Sequence, residues 1–164
     1  SLDIDFIKHA IRWLKKNENF NSDFIVHLRP TSPLRKLKDV ENAIKKMANN
    51  NNIDSVRSIT KLDEPITKIW YKNLKGILTP VNVNKSKFKE PFNAPRQSLT
   101  TIYSQNALFD IYRNEIIEKQ NLLSGKKIFG YLTRDNLDID NMNDFKVCKN
   151  KIKSIKSYLR LISQ

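Results

Sequence analysis

Glycine is scarce. Only Gly76, Gly125 and Gly130 occur among 164 residues, so no glycine-rich turn can let the backbone close around a triphosphate. If the protein handles a nucleotide, part of that site is absent from these residues. The single cysteine, Cys148, excludes an internal disulfide, and its place on the apolar face of a helical pattern favours a small buried side chain over a nucleophile. Long apolar runs are missing too: nothing approaches the roughly 18 unbroken residues of a membrane span. The opening SLDIDFIKHA has neither the basic start nor the apolar run of a signal peptide, so a cytoplasmic location and no membrane partner are expected. Acidic residues are few beside basic ones, 17 against 30, and the resulting net charge of +13 attracts nucleic acid, nucleotides or an anionic surface. Because the lysines are spread over several segments, a solvated basic surface competes with a dedicated nucleic-acid stripe. With 39% hydrophobic and 29% charged residues, the composition is that of one globular domain able to bury a core.

Periodicity supplies the elements. Leu2, Phe6, Ile7, Ala10, Ile11 and Leu14 recur at helical spacing, with Asp3 near the start and Lys15 and Lys16 near the end, as the helix dipole favours. FIVHL, ended by Pro30, predicts a short buried strand and then a loop. DVENAIKKMANNNN predicts a second helix, with Val40, Ala43, Ile44 and Met47 on one face and Asp39 as N-cap. DSVRSITKL predicts another strand, and the alternation of helix and strand favours a parallel sheet with crossover helices. KIWYKNLKGILTPV predicts a hairpin turning near Asn73 to Gly76, followed by a polar loop, VNVNKSKFKEPFNAPRQ. Strands are expected at TIYSQNALFDIYR and KIFGYLT, with a short helix around residues 113–120 between them. Phe145, Cys148, Ile152, Ile155, Leu159 and Ile162 mark a final amphipathic helix whose outer face carries Lys146, Lys149, Lys153 and Lys156.

Three segments have chemical potential. In RPTSPLR, after a strand, Thr31 and Ser32 offer hydroxyls and Arg29 and Arg35 offer anion-binding forks, although Ser-Pro is equally a turn or helix-start signature. In DNLDIDNMNDF, Asp138 and Asp140 at i and i+2 on a strand would share a face, roughly 7 Å apart at the backbone, and converge on one Mg²⁺. The competing account is a polar edge with Asp140 or Asn141 capping the following helix. In APRQSLTTIYSQNALFD, Arg96 suits a sugar carboxylate, while Gln97, Gln105 and Asn106 suit hydroxyl or N-acyl groups; singly, each is an ordinary surface residue. His9 and His27 lack partners at metal-ligand spacing and are read as structural. Trp13, Trp70 and Tyr71 are packing or interface residues, the latter two suited to anchoring a partner subunit from a hairpin.

The order of these segments resembles the acylneuraminate cytidylyltransferase (CMP-sialic acid synthetase) family. FIVHLRPTSPLR is similar to that family's strand and QPTSPLR or RPTSPLR loop, and DSVRSITKLDEPITKIW to its next strand and lysine-bearing loop. APRQ, QNALFD and LDIDNMNDF are similar to its Pro-Arg-Gln, Asn-Gly-Ala-type and Asp-x-Asp motifs. The resemblance runs from about residue 1 to the final helix. It implies a three-layer, Rossmann-like nucleotide-diphospho-sugar transferase fold that lacks its first strand and phosphate loop. Residues 1–164 would form a partial cytidylyltransferase domain, with residues 64–130 holding the sugar-binding insert and a protruding hairpin for homodimerisation. The implied substrates are CTP and an acidic nine-carbon sugar. Arg29, where many members have Gln, leans towards the legionaminic or pseudaminic acid branch. Lys68 and Arg96 would bind the sugar acid, with Gln97 and Asn106 near it, Arg29 at the family's sugar-contacting Gln position and Ser32 in the same loop; Asp138 and Asp140 would hold the catalytic Mg²⁺. The sequence departs from the pattern at Ala107, where glycine is usual, at Asp110, where some members have tyrosine, and at EPITK in place of His-Pro-x-Lys. The 164 residues alone are expected to be inactive and, with a sheet edge unpaired, prone to aggregate. A basic nucleic-acid-binding module and a noncatalytic paralogue of the same fold are the alternatives; no nucleic acid is expected on the first account.

Overall fold

The computed structural model describes residues 2–81, 87–134 and 137–162, and the side chains as far as residue 155. The chain divides into two compact units, Ser1–Ile59 with Gln105–Gln164, and Thr60–Ser104.

The larger unit is mixed α/β. Helix α1, Asp3–Asn17, opens with Asp3 and Asp5 in its first turn and closes with Lys15 and Lys16, so both ends oppose the helix dipole. The Asp5 carboxylate accepts the Leu2 N–H at 3.0 Å. Strand β1, Phe24–His27, follows, but it is not the buried strand expected, since its other residues are only half-buried and Val26 is exposed; α2, Leu37–Ala48, comes next. Here the expectation of Asp39 as N-cap fails: Lys36 occupies the cap without a side-chain bond, and Asp39 sits inside the first turn. Its charge still opposes the dipole there.

The sheet runs β1, then β5 (Tyr103–Arg113), then β2 (Ser55–Lys61), then β6 (Ile128–Leu132). β2 and β6 are parallel, Val56 facing Phe129, but β1 and β5 are antiparallel, Ile25 facing Tyr112 and His27 facing Asp110. The expected all-parallel sheet is therefore mixed. β1 and β6 form its edges.

β5 is buried from Leu108 to Tyr112, and its side chains join two clusters. Phe109 and Ile111 pack with Val40, Ala43 and Met47 of α2, and with Ile53 and Val56. Tyr112, pointing the opposite way from its neighbour Ile111, packs with Ile7 and Ile11 of α1 and Ile117 of α3, Asn114–Gln120. Helices thus cover both faces. Each fully buried side chain of the size of Met47 or Phe109 contributes about 1.5–3 kcal/mol.

The last helix, α4, spans Met142–Ile162. Cys148 is buried as expected, whereas Phe145 and Ile155 are each half exposed, so the apolar face is only partly covered. The side chains of Lys156, Leu159 and Ile162 lie outside the described residues. Among the described residues no helix is long and apolar enough to cross a membrane.

The smaller unit contains the expected hairpin, β3 (Trp70–Lys72) paired antiparallel with β4 (Leu78–Pro80). Asn73 Oδ1 accepts the Lys75 and Ile77 N–H groups and Gly76 takes φ +82°, which is why the turn falls there. Trp70 packs on Phe92, ring centroids 4.8 Å apart. The polar loop that follows the hairpin lies partly outside the described residues, at 82–86.

Candidate functional site

Ala107 shapes the larger unit's site. Its φ of +56° is left-handed, a conformation that costs an L-residue roughly 1–2 kcal/mol and that glycine adopts freely. Such a kink interrupts the ladder and frees backbone carbonyls. Two of them are taken by the RPTSPLR loop: Ser32 Oγ lies 3.3 Å from the Ala107 oxygen, and Arg35 Nε donates to the Leu108 oxygen at 2.9 Å. Arg35 also donates back to the Arg29 carbonyl, closing the loop on itself.

The same loop holds the Asp-x-Asp segment. Ser32 is fully buried and its hydroxyl reaches Asp138 Oδ1 at 3.1 Å, while the Ile139 N–H donates to the Thr31 carbonyl at 2.9 Å. Residues 137–140 are irregular, so the expectation that Asp138 and Asp140 alternate on a strand is wrong. Their setting comes from the loop instead. Asp135 and Asn136, earlier in the same motif, lie outside the described residues. Asn141 caps α4, its Oδ1 accepting from Asn143 and Asp144, and Asp144 Oδ2 accepts from the Asp140 and Asn141 N–H groups. Asp140 is exposed and Asp138 half-buried.

Among the described residues no three His, Cys, Asp or Glu side chains come together around one point. Mg²⁺ needs fewer, since it keeps several waters and is commonly held by one or two carboxylates and substrate phosphates. Asp138 fits that donor set: Oδ1 is engaged by Ser32, and Oδ2 has no partner among the described residues.

Arg29 is held between two carboxylates, 2.7 Å from Asp3 Oδ2 and 3.9 Å from Asp110 Oδ2. The bond to Asp3 raises its pKa. Asp110, 1% exposed, is held by Arg57 Nε at 2.9 Å, and Gln105 Nε2 lies 3.5 Å away. Burial, and then the Asp110 charge, push the Tyr112 hydroxyl well above its ordinary range. Arg57 and Asp110 were not among the sequence candidates as a pair. A carboxylate inside LFDIY, a buried apolar run, is the available signal, since such a charge needs a partner. Asn106 is buried, its Nδ2 donating to Thr133 Oγ1 at 2.6 Å and its Oδ1 3.5 Å from the Leu108 N–H. Its amide supports the kink.

In the smaller unit, Arg96 and Gln97 lie in the 3-10 turn Arg96–Ser98 and are exposed. They line a cavity of about 270 Å³ with Lys61, Asp63, Thr100 and Thr101, close to the lower limit of small-molecule sites, about 300 Å³. Arg96 pairs with Glu64. Lys68 ends the 3-10 turn Ile66–Lys68, half-buried, and is not part of that cavity's lining. Ser32, Asp138 and the Ala107 kink are therefore assembled in one unit, and Arg96 with Gln97 in the other.

His9 is exposed. His27 packs edge-on to Phe6, ring centroids 5.4 Å apart, with Nδ1 buried and unpartnered among the described residues. Burial, and then Arg29, lower its pKa. Neither histidine has the setting of a metal ligand. Comparison with protein-family models and with curated proteins finds no match to this chain.

Proposed function

We propose that the chain is the sugar-acid and metal-binding portion of a CTP-dependent cytidylyltransferase of the acylneuraminate type. The observation that carries this is the convergence of Ser32, Ala107 and Asp138, from three separate segments, with Ala107 left-handed at the position where the resembled family has glycine. That φ is a demand of the backbone.

In the proposed reaction the anomeric hydroxyl of an acidic nine-carbon sugar attacks the α-phosphorus of CTP. The new O–P bond forms as the bond to the bridging β-phosphate oxygen breaks, pyrophosphate departs and the hydroxyl proton passes to solvent. Asp138, with Asp140 of the same segment, would hold a Mg²⁺, which would supply charge neutralisation at the reacting phosphates. Arg96, with its planar fork, takes the sugar carboxylate, and Gln97 beside it reads hydroxyl or N-acyl groups. Lys68 adds positive charge, and Arg29 orders the loop through Asp3 and Asp110. Gly76, Gly125 and Gly130 form no glycine-rich turn that could cradle a triphosphate, so on this reading these 164 residues bind the sugar acid without turning it over. Tyr71, Leu74, Ile77 and Leu78, exposed on the hairpin, form the homodimer contact.

A second account, a basic nucleic-acid-binding module, is favoured by the exposed Lys146, Lys149, Lys151 and Lys153 on α4 and the net charge of +13. It requires affinity for single- or double-stranded nucleic acid that falls steeply with salt, with a log-log slope of several units.

Saturation-transfer NMR of the chain with N-acetylneuraminic, legionaminic and pseudaminic acids tests the first account. Transfer to at least one acid, lost in Arg96→Ala, is expected. Transfer to none of them counts against it.

A further inference from the structure

We propose that Ser32 is a positioning residue for Asp138, setting the orientation in which that carboxylate meets its metal ion rather than touching substrate. This rests on the function proposed above. Ser32 is 0% exposed, so its hydroxyl cannot face a bound sugar without the loop opening. That hydroxyl has one proton and two acceptors in reach, Asp138 Oδ1 at 3.1 Å and the Ala107 carbonyl at 3.3 Å. The charged acceptor is both nearer and stronger.

A second bond makes the geometry specific. The Ile139 N–H donates to the Thr31 carbonyl at 2.9 Å, so adjacent residues of the loop grip adjacent residues of the Asp-x-Asp segment, one through the backbone and one through side chains. The backbone bond fixes where Asp138 sits, and the hydroxyl fixes the rotation of its carboxylate. The ion is assigned to Oδ2, the carboxylate oxygen that Ser32 does not engage. Because residues 137–140 belong to no strand or helix, nothing in the sheet ladder does this for them.

The kink serves the same arrangement. With Ala107 left-handed, its carbonyl lies 3.3 Å from Ser32 Oγ, the alternative acceptor for the single hydroxyl proton whenever Asp138 turns away. Carboxylate ligands of metals are themselves hydrogen-bonded, and losing such a partner commonly weakens metal affinity about tenfold to a hundredfold.

The test is Mn²⁺ binding, followed by electron paramagnetic resonance, in the unaltered chain and in Ser32→Ala, Ser32→Cys and Asp138→Asn. Ser32→Cys nearly keeps the side-chain volume but donates only weakly, so it carries the test if the alanine variant does not fold. Weakening by about tenfold or more in both Ser32 variants, and loss of binding in Asp138→Asn, is expected. In the CTP-dependent assay of the complete gene product, the Ser32 variants should need more Mg²⁺ while the sugar KM stays unchanged. Mn²⁺ affinity retained in both Ser32 variants while Asp138→Asn loses it, or a raised sugar KM with normal Mg²⁺ demand, overturns the positioning role and leaves the metal role standing. Unchanged binding in Asp138→Asn, or none in the unaltered chain, overturns the metal role and this inference with it.

Discussion

Asp110→Ala tests the electrostatic frame of the site. Its carboxylate is 1% exposed, while the side chains of Arg57 and Arg29 are 29% and 30% exposed. Removing one member of a buried ion pair generally costs about 3–5 kcal/mol, because the remaining charge is left uncompensated. Two features place this case at the lower end. Arg57 keeps a bond to Ser124 Oγ at 3.0 Å, and Arg29 keeps Asp3 at 2.7 Å. A loss of about 3 kcal/mol is therefore expected, and for a chain of this size that lowers the melting temperature by about 6–12 °C. Asp110→Asn, which retains an acceptor for Arg57 without the charge, should lose about half as much. Urea denaturation at neutral pH with thermal melting measures both. A loss below about 1 kcal/mol for Asp110→Ala, the range of exposed pairs, would refute the claim that this cluster is a buried network.

Other perturbations follow from single contacts. Gly125→Ala faces both a φ of +65° and a Cβ 2.6 Å from Asp54, whose carboxylate accepts the Lys126 and Lys127 N–H groups. It should lose about 2–4 kcal/mol in the same urea titration, and a change under 0.5 kcal/mol contradicts the contact. His27 is held in the fold below its unfolded pKa of about 6.5 by burial and then by Arg29. Its contribution to stability is complete above that value and is lost as pH falls through the lower folded pKa. His27→Leu should flatten the decline in stability as pH falls below about 6.5; an unchanged slope rules the histidine out as its source.

What was legible in the sequence was what is local. α1, β1, the hairpin turn at Asn73 to Gly76, α4 and the burial of Cys148 follow from periodicity and turn chemistry over a few residues. Strand direction is not local: FIVH and DIYR pair antiparallel across more than eighty residues, and neither segment's pattern states which way its neighbour runs. LDID imitated a strand because its apolar and acidic residues alternate, yet its neighbours are the Thr31 carbonyl and the Ser32 hydroxyl instead of a ladder. Asp39 was misplaced as a cap because α2 begins earlier, at Leu37, without any side-chain cap to mark it. The motifs name candidate residues but not their partners. Asp3 for Arg29, Arg57 for Asp110 and Thr133 for Asn106 are brought together only by the sheet and the helices on it.

The central claim is nucleotidyl transfer, and pyrophosphate release measures it most directly. The complete gene product is incubated with CTP, Mg²⁺ and a nonulosonic acid, beside the 164-residue chain and Asp138→Asn. The account predicts stoichiometric pyrophosphate and CMP-sugar from the complete product, none from the 164 residues alone, and a loss of at least about a hundredfold in Asp138→Asn. Pyrophosphate from neither form with any of these acids would contradict it.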